Sequence, residues 1–298
     1  MKKAFEFSPG PAVLLAGQLS LFKRAFCPAK LLLQFFFILV ATTPLYTSAA
    51  ETANSYLTAA LGIEQLTYKE QIPDLALRTS ETDITNWVLY LEGRKALRNI
   101  FFGTRGEISL TSEEARENWS RAGEFEQTNT LAYRQAGISG HVGFFPHRRL
   151  NPYIGIKWNY ARQERGDFEN VNTPGTVDQT ATETVNSFSA LVGILGSIPF
   201  SGKWSFSYFA EYLLPFYSRI TNDSLPGWKA SNVGGYTVSL TGRLNYAFSE
   251  TITGALQIRW GRRHWQGSDW APVGDSRVKW PENNTDFLGG FFCVSRYF

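Results

Sequence analysis

Cysteine, histidine and methionine are all scarce in this chain of 298 residues. There are two cysteines, Cys27 and Cys293, and three histidines, and none of them stands in a paired cysteine or histidine motif. Cys27 falls in a segment that we expect to be removed, and a single remaining cysteine cannot form an internal disulfide. The sequence therefore predicts no disulfide framework, no metal site and no cofactor.

Long apolar runs are also missing. The longest, Leu31–Val40, has ten residues and is interrupted by Gln34, whereas a membrane-spanning helix needs roughly 20. This run follows a basic segment and precedes small residues at positions 47–50, an order that is typical of a secretory signal peptide. We predict that residues 1–50 are a signal peptide and that residues 51–298 form one domain. The alternative is an uncleaved membrane anchor.

Neither sign of charge dominates once the predicted signal peptide is set aside. The whole chain has 29 basic and 26 acidic residues, and residues 1–50 hold five of the basic residues and one of the acidic ones. The remainder therefore has 24 basic and 25 acidic residues. A surface that binds nucleic acid needs a marked basic excess, so we predict no nucleic-acid partner.

Alternating apolar and polar positions are what the rest of the chain has in abundance. In Trp204–Leu214 the even positions are mostly large and apolar, while odd positions include Ser205, Ser207 and Glu211. Successive side chains of a strand point to opposite faces, so this segment predicts a strand with one apolar face. Nine other segments follow the same pattern, and a charged loop at 113–117 is predicted after the third strand. The predicted strands are Thr58–Tyr68, Thr85–Gly93, Ile100–Leu110, Thr130–Phe145, Pro152–Gln163, Thr184–Phe200, Trp204–Arg219, Gly235–Phe248, Ile252–Trp265 and Asp286–Phe298.

Strands of about a dozen residues are long enough to cross a bilayer, because a tilted strand needs roughly 9–11. A closed barrel also satisfies every backbone group in lipid, which an open sheet does not. The connections alternate between short turns and long polar loops, as in an up-and-down barrel. We therefore predict an all-β fold: a transmembrane antiparallel up-and-down β-barrel of about ten strands, with eight or twelve as alternatives.

The last segment of the chain ends in an aromatic residue, Phe298. Phe292 and Val294 occupy alternate positions before it, while Arg296 departs from the apolar pattern. This segment resembles the terminal insertion signal of Gram-negative bacterial outer-membrane β-barrel proteins. The resemblance implies location in the cell outer membrane and the barrel-assembly machinery as a partner, and it indicates no particular family.

Assigning the more apolar face of each strand to lipid places many charged residues inside the barrel. The predicted lumen network consists of Glu64, Arg105, Glu107, Lys157, Glu211, Arg243, Arg259 and Arg263. It has three acids and five bases, which predicts a positive excess. Small barrels are commonly filled by their own side chains, so we expect a structural, surface-binding or narrow-pore protein. The alternative for the same residues is an open, porin-like channel.

A catalytic interpretation rests on Ser139, His141 and Glu107, whose residue types match a nucleophile, a base and an orienting acid. Ser139 and His141 share a strand face with α-carbons about 7 Å apart. This trio supports the alternative function of an outer-membrane hydrolase acting on a lipid or a surface peptide. Omptin proteases carry an aspartate pair opposite an Asp–His pair. Asp83 and His264 fall near the predicted rim without a matching aspartate partner, so omptin activity is not predicted.

Basic residues also lie near the outer ends of two predicted strands. They are Arg162, Arg165, Arg262 and His264. Guanidinium groups bind phosphate through paired hydrogen bonds, so these residues predict contact with lipopolysaccharide, with a solvated rim as the alternative. The sequence specifies no ligand for the extracellular loops.

Overall fold

The computed structural model describes residues 55–74, 77–145, 150–170, 173–177 (backbone only), 179–200, 202–274 and 276–298. The predicted signal peptide lies outside the described residues. No helix in the described part of the chain is long and apolar enough to cross a membrane. The strands are β1 (Tyr56–Ile72), β2 (Arg78–Leu97), β3 (Ile100–Ser109), β4 (Glu114–Arg121), β5 (Glu124–Phe144), β6 (Asn151–Asn170), β7 (Thr173–Val177), β8 (Ala181–Pro199), β9 (Trp204–Asn222), β10 (Lys229–Ser231), β11 (Gly235–Ala247), β12 (Ile252–Trp265), β13 (Ala271–Val273), β14 (Ser276–Val278) and β15 (Glu282–Tyr297).

The sheet closes on itself because β1 pairs with both β2 and β15. All neighbouring strands of the wall are antiparallel. Nine wall positions hold β1, β2, β5, β6, β8, β9, β11, β12 and β15, and β3 and β4 share the remaining one. The predicted ten-stranded barrel is therefore confirmed, and the alternatives of eight or twelve strands are wrong.

The charged loop predicted at 113–117 is the main error in the strand assignment. Most of it lies in β4, which pairs with the outer parts of β2 and β5 after a break at 110–113. Along β4 the residues Glu117 and Trp119 are buried inside the barrel, while Glu114 and Arg116 face outward. Outward charges carry no cost where the wall stands in water, so the polarity that predicted a loop belongs to a strand beyond the membrane.

The outer surface has an apolar belt that ends partway along the strands. On β1 the outward residues change from Leu61 and Ile63 to Gln65 and Lys69. The belt includes exposed side chains that in water would be unfavourable: Trp87, Ile154, Ile156, Phe188, Val192, Leu240, Leu256, Ile258, Leu288, Phe292 and Val294. The residues of β1 that follow Gln65 therefore lie outside the membrane.

The two ends of the barrel differ in their connections. The four connections at the end that holds residues 55 and 298 have two to six residues, whereas three of those at the other end have ten or more. Short turns face the periplasm in outer-membrane barrels, so we name the opposite end extracellular. The wall is uneven there, because β2 and β5 have 20 and 21 residues while β11 and β12 have 13 and 14.

Apolar side chains fill both ends of the interior. At the periplasmic end Phe101, Tyr153 and Phe209 pack with leucines from β8 and β9. At the extracellular end Trp228 and Trp280, from the long connections, pack against inward-facing residues of the wall. Trp280 is 1% exposed. The charged residues therefore occupy a middle layer between two apolar plugs, and a second charged group lies beside the extracellular plug.

Candidate functional site: the charged lumen

The middle layer of the lumen contains a connected set of ion pairs. Glu107 accepts hydrogen bonds from Lys157 Nζ at 2.7 Å and from Arg259 Nη1. Arg259 also donates to Glu64, at 2.5 Å from Nη2 to Oε2. Gln135 Nε2 donates to the other Glu64 oxygen at 2.6 Å. Glu107 thus joins two cations, and Arg259 joins two glutamates.

A second branch of the same layer lies nearer the periplasmic end. Arg105 donates to Glu211, which also accepts from the Tyr153 hydroxyl at 2.7 Å. Arg243 Nη2 donates to Glu92 at 2.9 Å, and Arg105 Nε lies 3.7 Å from the same carboxylate. Glu92 therefore links the two arginines of this branch.

Glu92 was missing from the predicted network although the sequence contained its signal. It follows Asn86, Val88 and Tyr90 at two-residue spacing, on the face opposite the outward-facing Trp87. The full set, which we call the mid-lumen network, comprises Glu64, Glu92, Arg105, Glu107, Lys157, Glu211, Arg243, Arg259 and Arg263. It holds five bases and four acids, so the positive excess is one charge rather than two.

Arg263 joins this network without an ion pair. Its Nη1 donates to the Tyr133 hydroxyl at 2.9 Å and its Nη2 lies 3.3 Å from Gln135 Oε1. Both acceptors are neutral, and no carboxylate of the described residues forms a salt bridge with it. Arg263 therefore carries the uncompensated charge of the layer.

Arg165 forms a separate group near the extracellular end, and its position corrects the prediction that it contacts lipopolysaccharide. Its guanidinium donates to Glu117 Oε2 at 2.7 Å, to Glu70 Oε1 at 2.7 Å and to Glu183 Oε2 at 3.3 Å. Arg165 is 8% exposed, because it takes an inward position of β6 whereas Arg162 takes an outward one. A side chain buried inside the wall cannot contact lipid outside. We call Glu70, Glu117, Arg165 and Glu183 the extracellular cluster.

Two acids of the extracellular cluster, both beyond the apolar belt, have opposite pKa shifts. Burial raises the pKa of Glu70 to about 7, although Arg165 opposes the shift. Burial also disfavours ionised Glu117, but the Arg165 guanidinium outweighs it and lowers the pKa of that carboxyl. Glu117 accepts two bonds from Arg165 and others from Ser80 and Asn129. The better-bonded acid stays charged, and Glu70 is the one that gains a proton first.

The other predicted lipopolysaccharide contacts do face outward. Arg162 is exposed and pairs with Glu164, and Arg134 lies directly opposite it on β5. Arg262 Nε donates to Asp286 at 2.6 Å, and His264 Nδ1 lies 3.1 Å from Asn284 Oδ1. These side chains stand just above the apolar belt, at the level of lipid headgroups.

The predicted catalytic residues do not form a hydrogen-bonded set. Both oxygens of Glu107 are bound by Lys157 and Arg259. The His141 ring packs against Tyr153 with centroids 4.9 Å apart, and its buried Nδ1 has no hydrogen-bond partner among the described residues. Ser139 lies between Arg105 and Lys157 in the sheet register. The His141 ring also packs tightly against Gly103, because a Cβ added to Gly103 would lie 2.1 Å from His141 Nε2. His141 therefore serves in packing.

Two small cavities lie along the lumen of the described residues. The larger, the mid-lumen cavity, measures about 40 Å³ and is lined by Arg105, Glu107, Lys157, Glu211, Arg259 and Arg263, among others. The smaller measures about 10 Å³ and lies beside Trp265 and Trp280. Since one water needs roughly 10–15 Å³ on this measure, the cavities hold a few waters and no larger solute.

The residues of the predicted insertion signal lie on the outer face of β15 or at its end. Phe292 and Val294 are among the most exposed apolar side chains of the belt. The backbone N–H of Phe298 donates to Ser55 O at 3.2 Å, and Arg296 lies over the Phe298 ring at 5.5 Å. Arg296, which interrupts the apolar pattern of this segment, thus lies on the same outward face as Phe292 and Val294, near the periplasmic boundary.

Comparison with solved structures places this architecture in a class. The outer membrane protease OmpT from Escherichia coli is similar over 86% of this chain and 100% of its own, with 11% identity and a TM-score of 0.61. The transport unit of the autotransporter AIDA-I from Escherichia coli covers 97% of its own length and 89% of this chain, with 9% identity and a TM-score of 0.41. No protein-family model matches the chain, and no curated protein matches its sequence.

The likeness to OmpT shows the fold and nothing about activity, because so few residues are shared. Together, a closed ten-stranded barrel and an apolar belt define an integral outer-membrane β-barrel protein. The predicted class and the predicted location in the outer membrane are confirmed.

Proposed function

We propose that this protein is a non-conducting outer-membrane barrel, whose role is to hold its extracellular strands and loops rigidly at the cell surface. The observation that carries this proposal is the filled lumen. From the periplasmic end outward, an aromatic plug, the mid-lumen network and the tryptophan-containing plug follow one another. A solute would have to break several buried ion pairs to pass, and unpaired buried charges are costly.

The uneven extracellular wall supports a role in surface presentation. The long strands β2 and β5 continue well past the belt. A tight turn of two residues, Ala122 and Gly123, both with positive φ, joins β4 to β5. A rigid scaffold that displays loops is a common arrangement for binding residues. We propose that the ligand of this surface is a molecule outside the cell.

We further propose that contact with lipopolysaccharide anchors the barrel in this arrangement. Arg162 and Arg134 are neighbours on the outer face, and Arg262 and His264 lie on another part of the same rim. Guanidinium groups at the headgroup level suit lipid A phosphates. We also propose that residues 1–50 are removed on export and that the barrel-assembly machinery recognises the segment ending in Phe298.

Conductance in a planar bilayer tests the closed lumen. The purified folded barrel is expected to give no stable steps, while a variant with Trp280→Ala and Phe101→Ala, which empties part of each plug, serves as the comparison. Folding of both proteins is checked by the heat-dependent shift in gel mobility. Large, stable, ion-selective steps from the unmodified protein would overturn the proposal and favour a pore. Hydrolysis of lipopolysaccharide or a surface peptide that Ser139→Ala abolishes would replace it with the hydrolase alternative.

A further inference from the structure

We propose that the mid-lumen cavity is a binding site for one small monovalent anion of the size of chloride. The cavity is lined by four cationic side chains and two carboxylates. The site lies in the interior between the two apolar plugs, at the level of the apolar belt. The proposal concerns an ion held inside the wall and is separate from the role of the extracellular surface.

The charge balance of the layer calls for an anion. The mid-lumen network has five bases and four acids, and its carboxylates are already engaged. Glu107 uses both oxygens on Lys157 and Arg259, and Glu64 uses both on Arg259 and Gln135. The charge of the partly buried Arg263 therefore remains without a carboxylate partner inside the barrel, where an unpaired charge is costly.

The extracellular cluster does not supply the missing negative charge. Its acids are bound to Arg165, and the rings of Tyr68 and Tyr133, with centroids 5.8 Å apart, stand between it and Arg263. Arg263 reaches only the Tyr133 hydroxyl and Gln135 on that side. The uncompensated charge thus stays with the cavity.

Arg105, which lines the same cavity, has hydrogen-bond donors that are not fully used. Arg105 is 8% exposed, and its buried Nη2 has no hydrogen-bond partner among the described residues, while its Nε lies 3.7 Å from Glu92 without forming a hydrogen bond. The hydroxyls of Ser139, Ser239 and Thr241 also line the cavity. A halide only accepts hydrogen bonds, so it would satisfy donors that the carboxylates leave without a hydrogen bond.

The size and access of the cavity fit a single small ion. A space of about 40 Å³ has room for a few water molecules, and a chloride ion with a partial water shell needs no more. The side chains of Lys157 and Glu211 keep 19% and 17% of their exposure, so the cavity is not cut off from water. An organic anion such as gluconate is too large.

Thermal unfolding of the purified barrel in detergent micelles tests the site. The midpoint is measured in increasing sodium chloride, with sodium gluconate keeping the ionic strength constant. A ligand that binds only the folded state raises the midpoint in proportion to the logarithm of its concentration above its dissociation constant. We expect this rise in the unmodified protein and its loss in Arg263→Gln, which removes the excess charge without leaving a carboxylate unpaired.

Arg262→Gln is the matched control, because it removes the same charge from the neighbouring outward position. It should keep the full chloride response. Equal midpoints in chloride and gluconate, or loss of the response in both variants, would overturn the proposal. If Arg263→Gln does not fold, crystals of the unmodified protein in bromide give a second readout. Anomalous density between Arg105 and Arg263 supports the site, and its absence refutes it. The bilayer experiment tests conduction, so the two proposals fail separately.

Discussion

The extracellular cluster and the mid-lumen network use the same residue types in opposite proportions. In the extracellular cluster a single cation, Arg165, holds three carboxylates. In the mid-lumen network four of the five cations share four carboxylates, and four members have two charged partners each: Glu92, Arg105, Glu107 and Arg259. The first therefore depends on one side chain, whereas the second distributes its charge over several.

The surroundings of the two groups explain this difference. The mid-lumen network lies behind the apolar belt, where lipid outside and plugs inside leave little water to stabilise an unpaired charge. The extracellular cluster lies where the wall stands in water, so its excess negative charge is less costly. A buried group with more acids than bases also responds to pH, because one of its acids can take up a proton.

Replacement of Arg165 should have the largest effect on stability. Arg165→Met leaves two buried carboxylates, Glu70 and Glu117, and the partly buried Glu183 without their cation. We therefore expect the free energy of unfolding to fall by about 4–5 kcal/mol. Urea unfolding in micelles, followed by tryptophan fluorescence, measures it. Arg162→Met, on the outer face of the same strand, should change the value by less than about 1 kcal/mol. Similar losses in the two variants would mean that the cluster contributes no more than a surface pair.

Removal of one mid-lumen acid should cost less, because the cations have other partners. In Glu107→Gln, Arg259 keeps Glu64, and only Lys157 loses its carboxylate. We expect a loss of about 3 kcal/mol in the same urea assay. Glu81→Gln, which breaks an exposed pair with Lys69, is the control and should stay within about 1 kcal/mol. A loss as large as that of Arg165→Met would contradict the idea of distributed charge.

The smallest expected effect is a dependence on pH through Glu70. Its pKa is raised from 4.5 to about 7, so the folded state binds the proton more tightly than the unfolded chain. This stabilisation is complete below the unfolded pKa and is lost as pH rises through about 7. Between about pH 5.5 and 8 the unmodified protein should therefore lose roughly 1–2 kcal/mol that Glu70→Gln does not lose.

The measurement for Glu70 is the urea midpoint at both pH values, compared between the unmodified protein and Glu70→Gln. The lowered pKa of Glu117 acts in the opposite direction, but its effect falls at lower pH. Glu81→Gln should keep the slope of the unmodified protein. An identical slope in Glu70→Gln would show that this carboxyl does not carry the pH response.

The membrane-embedded part of the fold was predictable from sequence, whereas the part in water was not. Within the belt, alternation reports which face meets lipid, and the bounds of β12 match the prediction. Beyond the belt both faces carry polar residues, so the sequence predicts a loop where β4 lies and a start of β2 at Thr85 instead of Arg78. Alternation of apolar and polar residues therefore identifies strands only where the outer face meets lipid.

The sequence predicts on which face of the wall each lumen residue lies, but it does not predict the ion-pair partner of that residue. Every predicted lumen residue lies inside the wall, because parity alone decides that. The pairing of Glu211 with Arg105 joins strands that are distant in the sequence, and it depends on how far each strand is shifted around the barrel. The sequence predicts the same role for Arg162 and Arg165, but they are three positions apart on β6. An odd spacing puts two side chains on opposite faces of a strand, so Arg162 faces outward and Arg165 faces inward.

The seam between β1 and β15 has a consequence for how the molecule is made. It pairs Tyr56 with Tyr297 and continues to Gln71 and Glu282, so it joins segments from opposite ends of the barrel sequence. Until β15 pairs with β1, a partly formed sheet has two unpaired edges, and such edges recruit other strands and aggregate. Closure of so distant a pair is also slow, because the intervening chain must be ordered first. We therefore expect the unclosed sheet to need a chaperone or a template strand until β15 pairs with β1.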